Sequence, residues 1–104
     1  MVETQWPELG GKELRYRDHT WELTGEVAVH NSGDTLALRA TQTDGIRGEG
    51  ARLHFEVAQA GASLNPGNLG QHFDRLERDG DRHALVIRKG PRRYRYELQR
   101  MEYE

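Results

Sequence analysis

A chain of 104 residues, 31% charged and 35% apolar, can build one hydrophobic core and is not polar enough to stay disordered. Without cysteine it has no disulfide framework, thiolate zinc site or cysteine nucleophile. Its net charge of −2 conceals a separation: six cations and no acid lie between Arg82 and Glu97, against nine cations and seventeen acids elsewhere.

Residues 1–11 show no periodicity and end in Gly10-Gly11, which predicts a loose lead-in, with Trp6-Pro7 available to dock on the body. Leu14 and Tyr16 alternate with Arg15 and Arg17 as a short strand, or as the first half of the next one. In Thr20–His30 the residues Trp21, Leu23, Val27 and Val29 share one face, with Gly25 in register among them, and Glu22, Thr24, Glu26 and His30 share the other. Period-two patterning of this length predicts a strand with one wet face, and Gly25 predicts a bend or bulge.

Asn31-Ser32-Gly33-Asp34 is a turn by composition. A loop at Ser32-Gly33 sets Val29 against Leu36, Val27 against Leu38 and Glu26 against Arg39, so apolar meets apolar and anion meets cation in one register. Thr35–Gln42 is therefore the second long strand. The glycine-rich segment 43–50 is a flexible loop. In 52–59, Leu53, Phe55 and Val57 point inward, and Arg52, His54 and Glu56 point outward.

The period then changes. Asn68 with Gln71 makes a capping box, Leu69, Phe73 and Leu76 recur at helical spacing, and Gly80 stops the run, which predicts a helix over 69–78. The rival is a hairpin turning at Asp79-Gly80-Asp81, but a regular strand there puts Phe73 and Leu76 on opposite faces. Two strands follow, 83–88 and 93–101, joined through Gly90-Pro91. The expected fold is mainly β with minor α: a five- to six-stranded antiparallel sheet or small barrel, with one short helix between the third and fourth long strands. Residues 12–104 form the single β-rich domain. In element order alone, residues 12–102 resemble the oligonucleotide/oligosaccharide-binding barrel, the OB-fold.

The basic hairpin carries what functional information there is. With Gly90-Pro91 as the loop, Ile87 faces Tyr94 and Leu85 faces Tyr96, and on the other face Arg88 opposes Arg93. Opposed like charges destabilise a strand pair unless acids or an external anion answer them. Internal acids (Glu22, Glu26 or Glu56) and an external anion both remain open. For the external case the binding residues are Arg88, Lys89, Arg92, Arg93 and Arg95, and single-stranded nucleic acid is the first partner considered. Tyr94 and Tyr96 alternate with Arg93 and Arg95, so they read as inward-facing and not as a stacking platform. Thirteen arginines to two lysines, with two isoleucines, point to genome base-composition bias, so arginine abundance by itself carries little weight.

Chemistry of other kinds has little support. The histidines at 19, 30, 54, 72 and 83 include no short-spaced metal-binding pair, although His30 and His54 could meet Glu26 or Glu56 across strands. Serines 32 and 63 lie in no nucleophile motif, and the loop Asp44–Gly50 matches no phosphate-binding fingerprint. No catalytic residue, metal or cofactor is expected. The expected protein is a non-enzymatic, cytoplasmic binding module for an anionic partner, without membrane contact. The alternative is a structural or protein-interaction domain that pairs through its sheet face or edges, with itself or another protein. A small-ligand carrier would need a cavity lined by Trp21, Phe55 and Tyr96.

Overall fold

A computed structural model describes residues 2–16, 18–44, 50–57, 72–80 and 82–103. The strands are β1 (Val2–Gln5), β2 (Glu13–Tyr16), β3 (His19–His30), β4 (Thr35–Gln42), β5 (Gly50–Val57), β6 (Phe73–Asp79), β7 (Arg82–Lys89) and β8 (Arg92–Tyr103). They form one antiparallel sheet in the order β1-β3-β4-β5-β8-β7-β6, with β2 also on β3, curled into a half-barrel. The mainly-β expectation holds, with eight strands among the described residues in place of five or six.

The β3–β4 pairing follows the hydrophobic alternation: Val29 sits opposite Leu36 and Val27 opposite Leu38. Asn31–Gly33 form a 3-10 turn, so the loop is longer than the two residues of the simplest hairpin while the register is the same. Between Leu23 and Val27, four steps of β3 pass two of β4, from Ala40 to Leu38. Gly25 sits in this bulge at φ +93°, where an added Cβ would be strained and would stand 3.4 Å from the Trp6 carbonyl.

That close approach matters because the lead-in is not loose. Val2–Gln5 pairs with β3, the Trp6 amide donates to the Gly25 carbonyl at 2.6 Å, and Trp6 is fully buried. Burial of the indole and of Leu9, together with the backbone ladder to β3, offsets the chain entropy of ordering the segment. The lead-in thus becomes part of the core.

The helix expected over 69–78 is corrected. Residues 69–71 lie outside the described residues, and Phe73–Asp79 is a strand paired with β7. The objection to a strand was that Phe73 and Leu76 would face opposite ways. A bulge removes it: Phe73 pairs with Ile87 and Arg75 with Val86, so Asp74 is the extra residue. Phe73 and Leu76 then both face the core, opposite Ile87 and Leu85.

The core is filled by Trp6, Trp21, Leu23, Leu36, Leu38, Leu53, Phe55, Leu85, Ile87 and Tyr96. Trp21, Phe55 and Tyr96, the residues a carrier's pocket would need, are wholly buried members of this cluster. The Tyr96 hydroxyl donates to the Gly33 carbonyl at 2.5 Å, pinning β8 to the β3–β4 turn, and burial pushes its pKa up. The sheet's two edges, β6 on one side and β1 with β2 on the other, are tied by side chains. Trp6 meets Phe73 edge to face at 5.8 Å, and the Lys12 ammonium lies 5.3 Å from the Phe73 ring centroid.

Candidate functional site

The β7–β8 hairpin has the register its sequence predicts: Ile87 opposite Tyr94, Leu85 opposite Tyr96, Arg88 opposite Arg93 and Lys89 opposite Arg92. Gly90 makes the turn at φ +62°. Tyr96 is in the core and Tyr94 is half-buried, so neither forms an open stacking platform. All five predicted cations are brought onto one hairpin, four of them on its last two rungs.

Their electrostatic states differ. Arg95 donates through Nε to Glu77 at 3.1 Å and also pairs with Glu97. Arg93 Nε lies 3.6 Å from Asp74, which Arg75 also binds at 2.7 Å, and Arg75 Nε reaches Glu77 at 2.9 Å. Hydrogen bonds from Arg75 and then Arg95 hold the Glu77 carboxyl below its ordinary range, and Glu77 in turn raises Arg95. Among the described residues the neutralising acids therefore come from β6 and, for Arg95, also from Glu97 of β8, not from Glu22, Glu26 or Glu56. Glu26 is engaged by Arg39 at 3.0 Å. The β6 acids were hidden because a helix over 69–78 would have carried Asp74 and Glu77 away from β8. The Asp79-Gly80 turn composition was the signal that could have found them.

This ion-pair net has a structural role as well. Val86 and Ala84, the outward residues of β7, are 3% and 1% exposed beneath it. The rows alternate Arg75–Val86–Arg95 with Glu77–Ala84–Glu97, so the long side chains of β6 and β8 close over the small ones of β7. Each pair is solvent-exposed and contributes only about 0–1 kcal/mol. Covering Val86 is the larger benefit.

Two cations remain. Arg88 and Arg92 are exposed, and among the described residues neither has an acidic partner. Lys89 is half-buried and has interactions of its own. The patch the sequence outlined as five residues is thus electrically concentrated at the hairpin tip.

No protein-family model, curated protein or solved structure matches the chain. Its function has to be argued from this geometry.

The histidines also fall differently from the pattern. His54 lies on the outer face as alternation requires but is only 6% exposed, and its acidic neighbour is Glu102, at 3.3 Å, not Glu26 or Glu56. His19 stands 3.6 Å from Asp44, whose carboxyl is held low mainly by the Thr20 amide at 2.8 Å. Among the described residues no group of three or more His, Asp or Glu could hold a metal ion. No helix is long and apolar enough to cross a membrane among those residues.

Proposed function

We propose that this chain is a non-enzymatic, cytoplasmic binding module that engages an anionic partner, single-stranded nucleic acid first, through the tip of its C-terminal hairpin. The observation that carries the reading is the pair of consecutive cation-on-cation rungs, Arg88–Arg93 and Lys89–Arg92, with Arg88 and Arg92 unanswered by acid among the described residues. Opposed cations at a hairpin end gain from a bridging phosphate. With Tyr96 in the core, binding rests on backbone phosphates and reads little sequence. The strands keep the element order behind the OB-like comparison, and residues 58–71, most of the connection that would carry its helix, lie outside the described residues, so that likeness adds little.

The footprint is small, and so is the expected salt dependence. Three or four phosphate contacts give a slope of log K against log salt of about −2 to −3 for a single strand. Fluorescence anisotropy of a labelled oligonucleotide at two ionic strengths tests this. R88A/R92A should abolish binding and E22Q should leave it unchanged. No binding by the unmodified chain at low salt would remove the proposal.

A second reading is favoured by the open half-barrel. Among the described residues its β6 edge and its β1/β2 edge are joined by no backbone ladder, and a depression lined by Leu14, Leu76 and Arg78 lies between β2 and β6. Such edges suit a protein partner or a second copy of the chain. Light scattering that finds a stable dimer, reverting to monomer in an edge variant such as R78P, would support it over the hairpin reading.

A further inference from the structure

Among the described residues β6 has a strand on one side only, β7, and so ends the sheet. The contacts that tie it to the lead-in, from Trp6 at 5.8 Å and Lys12 at 5.3 Å, fall on Phe73, before the Asp74 bulge. After the bulge, Arg75–Asp79 runs in regular register with β7, beside the depression that separates β6 from β2. Arg75, Arg78 and Asp79 are exposed, and Leu76, on the core face, is only partly covered. Bulges and charges usually blunt a sheet edge against pairing. Here the bulge shortens the edge, but the charges stand in an order that invites a partner.

The run Arg75-Leu76-Glu77 is complementary to its own reverse. A second copy related by a two-fold axis through Leu76 lays its β6 antiparallel on the first. Leu76 then meets the partner's Leu76, and Arg75 meets the partner's Glu77 once on each side of the axis. The neighbouring registers that keep the two faces intact are worse. Moving the axis one residue back opposes Arg75 to its own copy, and one residue forward opposes Glu77 to its own copy. A single register joins apolar to apolar and cation to anion.

That register also continues rows already present in the sheet. On the core face, Tyr96–Leu85–Leu76 runs into the partner's Leu76, which covers the side chain a lone molecule leaves partly open. On the outer face, Arg95–Val86–Arg75 runs into the partner's Glu77, so the ion-pair net passes from one molecule to the next. No existing pair has to break. Arg75 donates through Nε to Glu77 and through Nη1 to Asp74, and among the described residues its Nη2 has no acceptor. The Glu77 carboxylate takes one guanidinium on each oxygen and keeps lone pairs for a third.

We propose that the occupant of the β6 edge is a second copy of this chain, in a two-fold antiparallel β6–β6 ladder centred on Leu76. This dimer rests on the edge-pairing reading of the protein and not on its basic hairpin. The short regular edge falls below the roughly 1,200 Å² of a stable interface, so the dimer is reversible and depends on concentration.

Sedimentation velocity of the unmodified chain from about 10 μM to about 1 mM should show a monomer–dimer equilibrium. R75E and E77R each set like charges on both central rungs and should weaken the dimer at least about tenfold. An equimolar mixture of the two restores opposite charges on both rungs and should dimerise, as should R75E/E77R. Either single variant beside R75E/E77R gives the same test if the other fails to fold. R88A/R92A should dimerise like the unmodified chain, which separates this contact from the hairpin tip. A chain monomeric at every concentration would overturn the proposal while leaving the edges open to a different protein. A dimer that R75E leaves intact would overturn it by placing the contact on another edge. Folded single variants that fail to complement each other would exclude the register.

Discussion

The two outer faces of the half-barrel are built from similar parts and end in opposite states. On β6–β7–β8, Ala84 and Val86 lie between charged rows, and arginines and glutamates from both flanking strands meet over them. On β3–β4–β5–β8, Ala28 and Ala37 occupy the same kind of position and are nearly as buried, but there they floor a depression walled by Glu26, Arg39 and Arg52. The densest run of cations in the sequence is therefore largely consumed within the fold, while a sparser set of residues frames an accessible depression. Charge density along a chain measures supply; what neighbouring strands present decides availability.

The largest expected effect breaks the comparison by separating the two faces. Trp6 joins them, with its backbone on the β3 bulge and its ring on Phe73 of β6. Trp6→Ala should destabilise the fold by about 3–5 kcal/mol, the range for emptying a buried aromatic site, as read by urea denaturation. A loss below about 1 kcal/mol would mean that the lead-in is not integral to the core.

A sharper contrast comes from making one substitution on both faces. Ala84→Leu must push apart Glu77 and Glu97, the residues flanking it on its rung, and should cost about 1–3 kcal/mol as overpacking. Ala37→Leu enters an open depression and should change stability by no more than about 0.5 kcal/mol. Equal costs in thermal denaturation would show that the two faces are equally closed.

Much of this architecture was legible in the sequence wherever one face of a strand is wet. Alternation fixed the β3–β4 register through Val27 and Val29, and the β7–β8 register through Ile87 and Leu85. The illegible parts share a physical cause, an irregularity that breaks strict alternation. The extra residue Asp74 mimicked helical spacing and hid β6, and with it the acids that neutralise Arg93 and Arg95. The β1 strand was too short to carry a period, and its docking follows from the burial of Trp6 together with its ladder to β3. The candidate residues Arg88, Lys89, Arg92, Arg93 and Arg95 were found together because they are local in sequence. The approach of His30 to His54 joins β3 to β5, far apart in sequence, and has no local signature.

The smallest expected effect concerns the ion-pair net itself. Glu77 has its pKa lowered by Arg75 and Arg95 from an ordinary value of 4.5, so its pairing stabilises the fold above that pH. As pH falls through the lowered pKa the folded state takes up the proton that the unfolded state already holds, and the contribution disappears. Glu77→Gln should therefore flatten the acid side of the melting-temperature profile while changing it little at neutral pH, as expected for an exposed network. It should also release Arg95 and strengthen oligonucleotide binding at the hairpin at low salt. An unchanged acid profile together with unchanged binding would mean that Arg95 is not held by Glu77. The two faces would then differ in packing alone, not in how their charges are spent.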